Sequence, residues 1–263
     1  MQERPLGLHI VVCIKAVVVK ASGGRIVRSP DNVRLNPFDL PAIATALQLR
    51  EGGGGAVTVL SMGPPSSRIV MAEALALGAD RAVLASDPLF AGADTLATST
   101  TLAAALRRLA PFDLVLFGAR TADSDTGQVG PQTAVALELP LVTGVHKVEP
   151  LGAGLRVERT LDDWVESFAV DLPAALTLRP EAARPREMPL GGLARAFDRG
   201  EIESLTCADL DLAPAQAGEA GSPTRVLSIR PIPRERRCRF LEGDSAEVAG
   251  QLMDHLLAEG LID

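Results

Sequence analysis

Three loops in this 263-residue chain carry residue types suited to holding an anionic ligand. Ser61-Met-Gly-Pro-Pro-Ser-Ser offers Gly63, where a backbone can approach a ligand closely, followed by a Pro-Pro-Ser-Ser turn that opens a helix. Ser86-Asp-Pro-Leu-Phe-Ala-Gly-Ala-Asp-Thr ends in Asp94 and Thr95, either of which is a fitting N-cap with oxygens near a bound nucleotide. Gly118-Ala-Arg-Thr-Ala-Asp-Ser-Asp-Thr-Gly-Gln-Val-Gly-Pro combines hydroxyls with three glycines and exposes successive amides, an arrangement that receives phosphate oxygens. Each loop also has a purely structural reading, as a strand-to-helix turn or a helix cap.

Other chemistries find little support. Cys13, Cys207 and Cys238 share no metal-type spacing, and His9, His146 and His255 are scattered. No G-x-G-x-x-G or G-x-x-x-x-G-K-[ST] motif occurs, and three isolated histidines form no Ser/His/Asp set. With no tyrosine and one tryptophan, flat platforms for stacking bases are scarce.

Loops of this kind need a scaffold, and the first two-thirds of the chain supplies one. Apolar runs at His9–Ile14, Ala56–Ser61, Arg81–Ala85 and Asp113–Phe117 read as buried strands. Between them, Pro41–Arg50, Ser66–Leu77 and Asp94–Leu109 read as helices, and Pro131–Glu138 as a fourth. This alternation predicts an α/β fold, a Rossmann-like parallel sheet covered on both faces. The three loops then lie beyond the carboxyl ends of its strands, where open sheets bind ligands. After Pro140, Val142–Pro150, Leu155–Arg159 and Glu166–Val170 predict a small antiparallel extension. A proline-rich charged loop over 179–199 leads into a short helix. Residues 206–242 hold little periodicity and are expected to form an arm on another subunit, before a helix at Ser245–Glu259. The predicted organisation is a nucleotide-binding domain over 1–205 and a C-terminal arm and helix over 206–263.

Composition narrows the function. Hydrophobic residues at 47% and charged residues at 22% fit a globular chain, and the net charge of −7 argues against nucleic acid. No apolar run reaches the roughly 18–20 residues of a membrane span, and no signal-peptide core precedes the first strand, so a cytoplasmic protein is expected.

Taken in order, Val11-Val-Cys-Ile-Lys, Asn36-Pro-Phe-Asp, Ser61-Met-Gly-Pro-Pro, Ala79-Asp-Arg-Ala, Asp123-Ser-Asp-Thr-Gly-Gln-Val-Gly-Pro-Gln and Ala220-Gly-Ser-Pro-Thr-Arg-Val resemble the beta subunits of electron-transfer flavoproteins. The resemblance covers nearly the whole chain. Some members of that family hold AMP in this subunit; nitrogen-fixation-associated and electron-bifurcating members hold a second FAD. Phe90-Ala-Gly-Ala-Asp-Thr-Leu-Ala-Thr-Ser and the Asp123 loop look more like the second kind. The resemblance implies that Cys13, Asn36, Met62 and Gly63 surround the adenosine. It implies that Asp123, Asp125, Thr126, Gly127, Gln128, Val129 and Gly130 hold the phosphates, and that Asp94, Thr95 and Thr98 approach the ribityl chain or flavin. Pro185-Arg-Glu-Met-Pro-Leu-Gly-Gly-Leu resembles the loop that docks a dehydrogenase, with Leu190 as its anchor. Implied partners are an alpha subunit, an acyl-CoA or other dehydrogenase and a redox acceptor. Two alternatives carry the same sheet: a nucleotide-binding regulatory module without a redox role, and an ATP-dependent ligase. The ligase requires an S-G-G-x-D-S loop that Ala21-Ser-Gly-Gly-Arg-Ile does not provide.

Overall fold

The computed structural model describes residues 7–19, 27–199, 201–228 and 238–262. Its elements run β1 (Leu8–Cys13), β2 (Ala16–Val18), β3 (Val33–Leu35), α1 (Leu40–Gly53), β4 (Gly55–Met62), α2 (Arg68–Leu77), β5 (Arg81–Ala85), α3 (Thr95–Leu109), β6 (Leu114–Gly118), α4 (Val129–Ala136), β7 (Leu141–Leu151), β8 (Gly154–Leu161), β9 (Trp164–Val170), β10 (Ala174–Leu178), α5 (Leu190–Arg199), β11 (Ile202–Leu205) and α6 (Ser245–Ala258). Nine strands form one sheet in the order β11-β5-β4-β1-β6-β10-β7-β8-β9. The pairs from β11 to β7 are parallel, and β7-β8-β9 is an antiparallel meander. Strands β2 and β3 pair separately as a short antiparallel ribbon.

The parallel strands lack polar alternation because both of their faces are buried. On one face Ile10, Val12, Val57, Val59, Leu114 and Leu116 pack with Ile43 and Leu47 of α1 and with Val70 and Met71 of α2. On the other, Val11, Cys13, Leu60, Val83, Val115 and Phe117 pack with Leu102, Ala105, Leu106 and Leu109 of α3. Strand neighbours thus point to opposite cores, as the two-residue period requires. The doubly covered parallel sheet agrees with the fold expected from sequence.

Two details go beyond the sequence reading. The chain returns from the meander through β10, unforeseen from sequence, which inserts between β6 and β7 and ties the antiparallel strands to the parallel sheet. Within the stretch 206–242, expected to form an arm on another subunit, Cys207, Leu210 and Ala217 belong to the same buried cluster as α3, whereas Val226 and Leu227 are exposed. Two compact units follow from the contacts, 1–229 and 230–263. The second contains α6, opened by a capping box in which Asp244 accepts from the Ala246 and Glu247 amides and Glu247 accepts from the Asp244 amide. Among the described residues no helix is long and apolar enough to cross a membrane.

Candidate nucleotide site

From β1 the chain steps to β4 and β5 on one side, then returns to β6 on the other. The strand order therefore reverses between β1 and β6, and a crevice opens beyond their carboxyl ends. Cys13 pairs with Leu60 of β4 and Phe117 of β6 at this point.

Just past Cys13, the Lys15 amide donates to Asp39 Oδ2 at 2.8 Å. Lys15 Nζ donates to Asp123 Oδ1 at 2.7 Å and to Ser124 Oγ at 3.2 Å. Asn36, fully buried before α1, donates through Nδ2 to Asp39 Oδ1 at 2.8 Å and to the Arg120 carbonyl at 2.9 Å, and its Oδ1 accepts from the Ala122 amide. The Arg120 guanidinium lies 4.5 Å over the Phe38 ring. Cys13, Asn36 and the head of the Asp123 loop are thereby brought together. Lys15, Asp39, Gly118 and Arg120 join them, although none was singled out as a site residue from sequence. Their signal was present only as neighbours within motifs: Lys15 in Cys-Ile-Lys, Asp39 in Asn-Pro-Phe-Asp, and Gly118 and Arg120 at the head of the Asp123 loop.

Electrostatics differ sharply among these groups. Burial pushes the Asp39 carboxyl up to about 7, against the hydrogen bonds from Lys15 and Asn36. Burial and then the nearby Asp39 charge push the Cys13 thiol up as well, so Cys13 is a protonated wall residue and not a nucleophile. For Asp123, partial burial works upward, but the Lys15 hydrogen bond and charge outweigh it and hold the carboxyl below the usual range.

The helix starts beside the crevice are unlike each other. At α3, Asp94 Oδ1 accepts from the Leu96 and Ala97 amides, and Oδ2 accepts from Thr224. Its own amide donates to Ser222 Oγ, so the Ala220-Gly-Ser-Pro-Thr segment is fastened to this cap. Burial works to raise this carboxyl, but the three amides hold it below the usual range. Asp94 is thus a helix cap with both oxygens engaged. At α4, by contrast, the Gln128 side chain makes no cap hydrogen bond. The first amides of a helix have no intrahelical acceptor; here these are the amides of Val129 and Gly130, since Pro131 has none, at the positive end of the dipole. The approach turns through left-handed backbone at Asp125 (φ 55) and Gly127 (φ 63), the latter readily accommodated by glycine. Gly130 lets α4 lie close: a Cβ there would come within 3.0 Å of Thr177 Cγ2 and 3.1 Å of the Phe117 ring.

The two helix starts adjoin. Ser99 Oγ of α3 donates to the Thr95 carbonyl at 2.7 Å and lies 3.2 Å from the Val129 carbonyl. Half-buried Thr95 and Thr98 therefore sit on the helix beside the 126–130 turn. Met62 and Gly63 close the β4 end, where the Gly63 amide donates to Ala85. Leu190 stands elsewhere. It opens α5, whose Gly192 rests on Ala76 near the end of α2, toward the amino ends of the strands, and it is 85% exposed.

Residues 24–210 match the electron transfer flavoprotein domain. The chain belongs to the electron transfer flavoprotein family. It is 40% identical over 228 residues, 87% of each chain, to the electron transfer flavoprotein subunit beta of Thermoanaerobacterium thermosaccharolyticum. Identity is 42% over 225 residues to the corresponding subunit of Clostridium acetobutylicum, covering 83% of this chain and 86% of that one. It is 36% over 263 residues to subunit CarD of the caffeyl-CoA reductase-Etf complex of Acetobacterium woodii, covering 97% of this chain and all of CarD. These alignments make the chain a beta-type subunit of an electron transfer flavoprotein, with a role in electron transfer. The family's motifs and the crevice coincide in this chain: Cys13-Ile-Lys, Asn36-Pro-Phe-Asp and the Asp123 loop, distant in sequence, are joined by the hydrogen bonds described above.

Proposed function

We propose that this subunit binds an adenine nucleotide in the crevice beyond β1 and β6, FAD in preference to AMP, and relays electrons as one half of a heterodimer with an alpha-type subunit. The observation that carries the reading is the uncapped start of α4 behind the Asp125–Gly127 turn, beside a neighbouring helix whose start is already capped. A phosphate there meets open amides and a helix dipole without displacing a protein ligand. The amides at Gly127, Val129 and Gly130 would receive phosphate oxygens. Asp123, paired with Lys15, would frame the loop. Cys13, Asn36, Met62 and Gly63 would line the adenosine end.

FAD is favoured over AMP because Thr95 and Thr98 bring hydroxyls beside the phosphate turn, where a ribityl chain needs them and AMP does not. FAD, when bound, supplies the redox chemistry; the chain's own groups bind it, orient it and shield it from water. The donor is proposed to be a dehydrogenase of the acyl-CoA type or a related one, docking at Leu190, with a separate redox acceptor, and the resemblance to bifurcating members extends the proposal to bifurcation. The caffeyl-CoA reductase named with CarD supports a redox partner that acts on CoA esters. The segments expected from sequence as an arm, 206–263, are proposed to contact the alpha-type subunit.

The paired change Thr95→Ala with Thr98→Ala tests the FAD assignment. Each lost neutral hydrogen bond costs about 0.5–1.5 kcal/mol, so flavin content per heterodimer should fall while the heterodimer persists on gel filtration. Undiminished flavin in that variant would remove both threonines from the site.

A further inference from the structure

We propose that Asp39 is the positioning residue of the nucleotide site, a buried carboxylate whose ionised form holds the phosphate loop in its receiving shape. The proposal rests on the nucleotide reading above. Asp39 does not cap α1, although it occupies the N-cap position, because its side chain makes no cap hydrogen bond. It points back across the strand ends instead. There it accepts from the Lys15 amide behind β1, from Asn36 Nδ2 ahead of α1, and from the Gly118 amide at the end of β6. Three segments distant in sequence therefore meet on one side chain that is 4% exposed.

The network continues to the loop. Asn36 passes the contact on to the Arg120 carbonyl and the Ala122 amide, and Lys15 reaches Asp123 and Ser124. Gly118 leaves no room for an alternative, since a Cβ there would overlap Asp39 Oδ1 and the Phe38 carbonyl. Every group bonded to the Asp39 oxygens donates, so the carboxylate satisfies all of them. Adding a proton replaces one acceptor site with a donor among groups that all donate, which weakens the hold of this side chain on its partners. Charged and titratable groups near it are Lys15 and Cys13 from the β1 side, Arg120 stacked on adjacent Phe38, and Asp123 beyond Lys15. Only Lys15 favours the charge among those that act on Asp39 directly, and burial opposes it, which brings protonation into the neutral range.

The experiment is calorimetric titration of the nucleotide-depleted full chain, in its heterodimer, with AMP between pH 6 and pH 8. AMP is the adenosine half shared by both candidate nucleotides. For the natural chain, affinity should rise about tenfold across that range as binding draws Asp39 into its ionised form. In Asp39→Asn, affinity at pH 8 should be about tenfold weaker, and this component of the pH profile should vanish. The phosphate's own ionisation near pH 6 affects both proteins equally, so the difference between profiles is the readout. Superimposable profiles with equal affinity at pH 8 would overturn the positioning role while leaving the nucleotide site intact. Absence of AMP binding in the natural chain would instead remove the nucleotide reading, and the proposal with it. If Asp39→Asn fails to fold, amide exchange of the natural chain decides. Protection of 119–126, corrected for intrinsic rate, should drop below pH 7, and protection independent of pH would overturn the proposal.

Discussion

Asp39 sets a conflict between binding and stability at a single side chain. Its carboxyl is raised to about 7 in the folded protein by burial, whereas an unfolded aspartate titrates near 3.9. Between those values the folded state holds the extra proton, so Asp39 contributes stability that is full below about pH 4 and is lost as pH rises through about 7. The loss is on the order of 4 kcal/mol. Urea unfolding of the free chain at pH 5 and pH 8 should therefore show a decline for the natural chain that is reduced in Asp39→Asn; an identical decline in both would place the slope on other groups. Sequence could not expose this residue's role. Asn36-Pro-Phe-Asp marks a turn before a helix, and an aspartate at that point reads as an N-cap. Its side chain turns away and accepts from an amide just past β1 and from one at the end of β6 instead. Lys15 escaped notice for a related reason: its partner Asp123 lies 108 positions later, and only the sheet brings them together.

At the scale of elements, the strands and helices of the parallel half were legible because continuous apolar runs alternate with helix-period segments. Strand β10 was not. Ala174-Ala-Leu-Thr-Leu is short, lies between prolines, and follows a meander that suggests a departure from the sheet; full burial on both faces places it at the centre instead. The segment after β11 misled in the opposite way, since it has no periodicity yet buries Cys207, Leu210 and Ala217 through irregular turns. Capping was also half legible. Asp94 before Thr95 is a recognisable N-cap, but its second oxygen is claimed by Thr224, 130 residues on, which no local pattern reveals. Helix α5 presents Leu190 at its first position, largely exposed, so truncating it removes little buried surface. Leu190→Ala should leave the flavin spectrum and unfolding midpoint unchanged while slowing electron transfer from a cognate dehydrogenase several-fold, as loss of an exposed apolar anchor at a docking face does. Stopped-flow flavin reduction measures this, and unaltered rates with several donors would exclude Leu190 from docking.

At the scale of the molecule, a sheet whose order reverses at β1 and β6 places one crevice among the carboxyl ends of its central strands, and the chain's motifs converge on it from three separate segments. The same ends carry a capped helix and an uncapped one side by side, the arrangement on which the nucleotide proposal rests. Whether this crevice holds FAD is decided by denaturing the purified heterodimer, formed with its alpha-type subunit, and counting the released nucleotides by chromatography. The expected result is two FAD and no AMP per pair. One FAD with one AMP would contradict the preference for FAD, and one FAD with no AMP would contradict a nucleotide site in this subunit altogether.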